Sequence, residues 1–167
     1  PIRPEVARAP YETSTPDQES VRPLFFELAD LLLQRAGLTD DTNTAQTDLL
    51  TARDAIEAFK AAELREYFKD ECVDALQARI TKPDQLSPTT AVIYPIMFAD
   101  RLDMLVSLPT GMTRISVPVP AATLAQEVRA FRRTVEKRTT REYLPHAQQL
   151  YDWLVRPIEA DLTRLHI

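Results

Sequence analysis

Two glycines in 167 residues are too few for the phosphate-cradling loops, dinucleotide turns and nucleophile elbows that need several. One cysteine, Cys72, excludes an internal disulfide and a cysteine-rich zinc site. No apolar run approaches the roughly 20 residues that span a bilayer. Positive charge is not in excess either. A net charge of −5 and a pI near 5.1 argue against general affinity for nucleic acid or an anionic membrane. No cofactor, metal or catalytic residue is therefore expected in the chain. No signal peptide is visible in these residues, and the first of them is Pro1 rather than methionine. The chain is read as part of a longer, cytoplasmic protein.

What the chain does have is apolar residues, at 44%, enough for one core or a core with an appendage. They concentrate in residues 89–119, TTAVIYPIMFADRLDMLVSLPTGMTRISVPV. Three short runs, 91–98, 102–108 and 113–119, are rich in β-branched residues and separated by turn-like ADR and PTGM. Such short connections predict an antiparallel meander of three strands. The first run is almost wholly apolar and is expected to be covered on both faces. The third alternates, with Ile115, Val117 and Val119 facing one way and Arg114, Ser116 and Pro118 a wet side. Pro118 and Pro120 mark that third run as an edge. Gly111 is expected at positive φ in the second turn.

The flanks read as helices. Residues 1–19 form a proline-bearing extended lead-in. Ser20 is a candidate N-cap, with Pro23 in the first turn, the stripe Leu24, Phe25, Leu28, Leu31, Leu32, Ala36, and Gly37 as the stop. A second helix opens on the capping-box spacing of Asn43 and Gln46 and carries Leu49, Ala52, Ile56, Phe59, Leu64, Tyr67 and Phe68. The short link between them predicts an antiparallel hairpin, and the pair suits one unit of a helical repeat array. A short helix over 72–77 is also expected. After the meander, residues 121–138 place Leu124, Val128, Phe131 and Val135 on one face. Pro145 opens another helix, with Leu150, Tyr151 and Leu154 buried and Trp153 at its edge, and Pro157 forces a kink or a fresh start. The organisation expected is lead-in 1–19, helical hairpin and linker 20–82, and an α/β part 83–167. The fold class is α+β: a helical hairpin, then a small three-stranded sheet packed with helices.

Each candidate for chemistry has a plainer reading. Cys72 stands among Asp70, Glu71 and Asp74, which disfavour a thiolate, so it reads as a small core residue. His146 lies in a first helical turn, where the dipole disfavours the imidazolium, and reads as a surface or packing histidine. Nothing in the sequence gives His166 a partner. The basic group Arg129, Arg132, Arg133, Lys137, Arg138 and Arg141 is interrupted by Glu127, Glu136 and Glu142 and reads as a solvated helix face. Glu63 and Glu66 lack a histidine at ligand spacing.

Two segments resemble a known family. TTAVIYPIMFADRLDMLVSLP is similar to the strand segment of bacterial CHAT-domain proteins, and REYLPHAQQLYDWLVRPIEADL is similar to the helix that precedes the next core strand there. LFFELADLLLQRAG…ARDAIEAFKAAELREYF resembles the tetratricopeptide-like lead-in to such domains. The resemblance implies the front part of a caspase-like α/β sandwich whose histidine–cysteine dyad lies after residue 167, so no dyad role falls on Cys72 or His146. It implies a non-catalytic scaffold whose partners are the catalytic half of the same protein and a protein bound through the helical segment. A stand-alone interaction module is the alternative, and an enzyme acting alone comes third. The final apolar face, Leu162, Leu165 and Ile167, carries no Gly or Pro stop. An unfilled sheet edge with an uncovered apolar strip beside it is therefore expected, and with it self-association.

Overall fold

Every residue of LDMLVSL is buried, and the rest of the fold is arranged to bury it. The computed structural model describes residues 16–68, 89–137 and 140–167. There β2 (Leu102–Leu108) is the middle strand of an antiparallel meander of order β1-β2-β3, between β1 (Val92–Met97) and β3 (Gly111–Val117). Successive side chains on β2 point to opposite faces. Leu105 joins a core with Ala29, Leu33, Leu49, Ala52, Ile56, Tyr94, Ile96 and Met112. Leu102, Met104, Val106 and Leu108 join a second core with Val119, Leu124 and Ile158. The first face is covered by α1 (Pro16–Leu38) and α2 (Thr42–Phe68). The second is covered by α3 (Ala121–Glu136), α4 (Tyr143–Leu154) and α5 (Arg156–Arg164). The class is α+β, with a helical hairpin preceding the sheet.

The strand covered on both faces is thus β2, not the first run. Burial on β1 alternates, and Ile93 and Met97 are exposed. Tyr94 and Ile96 face the core under the hairpin, and Ile93, Pro95 and Met97 lie on the other face, which is left bare there. The Phe98 N–H donates to the Arg101 carbonyl at 2.8 Å, which fixes the phase of the β1–β2 ladder. Alternation from that pair turns the backbone groups of Met97, Pro95 and Ile93 outward. Pro95 sits where its missing N–H faces away from the sheet, the place a strand tolerates it. Pro118 and Pro120 lie past the end of β3 and do not bear on the ladder.

The β2–β3 connection is Pro109-Thr110, and Leu108 faces Gly111 across it. Gly111 has φ +126, as its place beside the turn led one to expect, and a Cβ there would stand 3.1 Å from Gln46 Oε1. Gly111→Val should destabilise the chain by about 1 kcal/mol or more. Denaturant midpoints check this, and an unchanged midpoint would refute it.

The hairpin departs from its sequence reading in register. α1 begins at Pro16, so Pro23 lies inside the helix and residues 16–19 belong to it rather than to a lead-in; residues 1–15 lie outside the described part. Ala29 and Leu33 are fully buried, while Leu24, Leu28 and Leu31 are exposed. Gly37 is not the stop, because the helix runs to Leu38 at ordinary φ. A Cβ on Gly37 would lie 3.5 Å from Arg114 Nη1, an ordinary contact, so the position does not require glycine. α2 is capped by Asp41, whose carboxylate accepts the N–H groups of Asn43 and Thr44, each at 3.2 Å, in place of the expected Asn43–Gln46 box. Phe25 and Phe26 meet Phe59 at 5.9 and 5.6 Å, and Arg35 meets Asp48, so early α1 lies beside late α2 and the pair is antiparallel. Leu49, Ala52, Ile56 and Phe59 are buried as expected, and Leu64 is exposed.

On the other face Leu124 is the buried member of the α3 stripe, and Val128 and Val135 are exposed. Pro157 stands in the first turn of α5, the fresh start its ring requires. α5 does carry a stop. His166 adopts φ 54, its N–H donates to the Thr163 carbonyl at 3.2 Å, and the Ile167 N–H donates to Leu162 at 3.0 Å. These are the paired bonds of a Schellman motif, with histidine in the left-handed position usually held by glycine. Leu162, Leu165 and Ile167 pack against the second core, so the strip expected there is partly covered. Among the described residues no helix is long and apolar enough to cross a membrane.

Candidate functional site

Arg101 closes the β1–β2 turn, Asp103 follows on β2, and Arg114 lies diagonally across on β3, where it faces Leu105. Period-two alternation sends Asp103 and Arg114 to the hairpin face. Asp103 is fully buried. Its Oδ2 accepts from Arg101 Nε at 3.0 Å and from Arg114 Nη2 at 2.9 Å. Arg101 continues to Asp30 on α1 and stacks over Phe98 at 4.4 Å. Arg114 Nη1 donates to the Leu33 carbonyl at 2.8 Å. The chain Asp30–Arg101–Asp103–Arg114–Leu33 ties α1 to two strands. Burial raises the Asp30 pKa, but hydrogen bonds from Gln34 and Arg101 outweigh it and hold the carboxyl below its usual range. Two atoms inside the network, Asp103 Oδ1 and Arg114 Nε, are buried without a hydrogen-bond partner.

Beside Arg114 lies a groove of about 500 Å³, between the end of α1 and the outer edge of β3, lined by Ala36, Gly37, Leu49, Met112, Thr113 and Ser116 along with that arginine. Gln46 closes one end of that edge. Its Nε2 donates to the Met112 carbonyl at 2.7 Å, and its Oε1 accepts the Met112 N–H at 3.0 Å.

A second ion pair holds the hairpin. Arg35 donates to Asp48 through Nε at 2.7 Å and Nη2 at 2.5 Å. The hydrogen bond from Arg35 holds the Asp48 carboxyl below the usual carboxylate range. A depressed folded-state pKa contributes stability that is complete above the unfolded value, about 3.9, and is lost as pH falls through the folded value. Asp48→Asn should therefore lower stability at neutral pH and flatten its decline below about pH 4. Urea midpoints across the acid range check this; parallel curves for the two chains would contradict it.

The residues singled out from sequence fall elsewhere. Cys72, with the helix expected over 72–77, lies outside the described residues. His146 Nδ1 donates to Glu127 Oε1 at 2.6 Å and ties α4 to α3. His166 serves as the helix stop described above. Arg129, Arg132, Arg133, Lys137 and Arg141 are exposed, with Arg132 paired to Glu136 and Lys137 to Glu142, the solvated face expected; Arg138 is outside the described residues. Among the described residues no group of three His, Cys, Asp or Glu is placed to hold a metal. Sequence reasoning missed Asp103 and Arg114. Arg114 was assigned to a wet face, yet it is mostly buried under α1. The signal was available: Asp103 is a lone charge inside an apolar strand run, and such a charge needs a cation beside it.

Comparison with protein-family models, with curated proteins and with solved structures finds no match to this chain.

Proposed function

We propose that the chain is a non-catalytic scaffold: the front part of a CHAT-type, caspase-like cysteine peptidase, bracing a catalytic half and coupling it to helical repeats upstream. The observation that carries this reading is the outer side of α1. Val21, Leu24, Leu28, Leu31 and Leu38 recur at steps of three, four, three and seven residues, and all five are exposed. The stripe runs about 25 Å along the helix. A helix apolar on its outer as well as its inner side is suited to lie between two neighbours, and stacked repeats supply such a neighbour. Helices on both faces of the sheet also suit the front of an α/β sandwich. A cytoplasmic location goes with this reading. The stand-alone interaction module is the second reading, and the groove beside β3 favours it.

The test is to express the chain with whatever its gene encodes beyond Ile167 and to assay peptide-bond cleavage. Cleavage that requires a downstream histidine and cysteine, and that falls in a Leu24→Glu/Leu31→Glu variant, supports the scaffold reading. A downstream sequence with no strand leading to a histidine, and no second strand ending at a cysteine, turns the argument to the stand-alone module. Cleavage by the isolated chain that disappears on Cys72→Ser overturns both.

A further inference from the structure

We propose that the outer edge of β3 is a strand-acceptor site, which takes an extended segment of another polypeptide carrying a carboxylate opposite Arg114. The ladder phase is the first ground. Leu108 faces Gly111 at the hairpin turn and the Met112 backbone is turned out to Gln46, so alternation turns the N–H and C=O groups of Arg114 and Ser116 out as well. Among the described residues these groups have no partner. Their complement is another peptide backbone, the mode by which sheet edges add a strand. Gln46 already presents a carboxamide, the chemical equivalent of a peptide bond, to the neighbouring position at 2.7 and 3.0 Å.

The groove alongside supplies the room. Its volume of about 500 Å³ lies within the range that holds ligands, roughly 300–1,000 Å³. Ala36, Gly37 and Leu49 on its wall favour small apolar side chains at the flanking positions.

Charge selects what stands in the middle. Among the described residues Arg114 has one carboxylate partner, Asp103, which it shares with Arg101; Arg101 also pairs with Asp30 and Asp100, and the buried Arg114 Nε has no partner. An incoming residue opposite Arg114 projects on the same face, where an opposite charge is favourable. A second copy pairing β3 to β3 about an axis at Arg114 sets two guanidinium groups against each other. The other edge of the sheet is a poorer template, because Pro95 leaves a gap between the outward groups of Ile93 and Met97.

The inference deepens the reading of the chain as a binding scaffold. The downstream gene sequence tests that reading and peptide binding tests this one, so either fails alone. The probes are two synthetic peptides of alternating threonine and valine, one with a central glutamate and one with a central lysine. With isotope-labelled protein, the glutamate peptide is expected to shift and protect the amides of Arg114 and Ser116 and to bind at least tenfold more tightly than the lysine peptide. Ser116→Pro deletes an outward N–H and leaves the ladder to β2 intact, so the melting midpoint should hold while peptide binding is lost. Equal affinity for the two peptides, no change at either amide at millimolar peptide, or undiminished binding to a folded Ser116→Pro chain would overturn the proposal. So would a dimer in sedimentation that neither peptide dissociates. The two peptides on the unaltered chain decide the matter without any variant.

Discussion

Asp103→Ala is expected to destabilise the chain by about 3–5 kcal/mol, the range for removing one partner from a buried ion network. The carboxylate is fully buried and receives both Arg101 and Arg114 through one oxygen. Without it two guanidinium groups, each mostly buried, face one another with only Asp30 and Asp100 left for Arg101. A loss of that size is a large part of the total stability of a small domain, about 5–15 kcal/mol. Replacing Arg101, Asp103 and Arg114 together with apolar residues of like volume should be far milder, because the fully buried charge leaves with its partners, and Asp30, which is part-exposed, keeps water and Gln34. Equilibrium denaturation of the single and triple variants checks both statements. If Asp103→Ala loses less than about 1 kcal/mol, the network does not hold the hairpin to the sheet.

The second large effect separates two leucines on one helix. Leu33 is fully buried and Leu31 is 65% exposed. Leu33→Ala should cost about 2–5 kcal/mol through lost transfer energy and the cavity left behind. Leu31→Ala should change stability by about half a kilocalorie per mole or less. Similar losses at the two positions would mean that α1 meets the sheet through a different face. That would also remove the exposed stripe on which the scaffold reading rests.

The strands, their order and their antiparallel pairing were legible because short β-branched runs between tight turns admit few arrangements. Gly111 was legible for the same reason, since only glycine takes φ +126 without strain. The rotation of α1 was not. Leucine lies all round that helix, so periodicity cannot say which side meets the sheet; Ala29 and Leu33 are the α1 residues that share the buried core with Phe98 and Ile96. Nor was the one-sided cover of β1 legible, because an almost wholly apolar run does not show which of its faces other elements reach. The buried network could be read only in part. Asp103 announces itself as a charge in an apolar strand, whereas its cations come from a turn and from a diagonal neighbour whose register no local pattern specifies. Gln46 is the clearest miss: its spacing fits a cap, and its amide instead pairs with a strand that lies 66 positions along the chain.

Pro95 also bears on how many copies of anything can gather at this sheet. A sheet with two open edges can grow without limit, each added strand exposing a fresh template, which is the geometry of filaments. Here growth from β1 is hindered by a ring nitrogen that has no hydrogen to give, midway between the outward groups of Ile93 and Met97. Addition at β3 by a segment that is not itself an open sheet ends after one event. The expected stoichiometry is therefore one strand to one chain, a terminated pairing whose direction is set by a single imino acid.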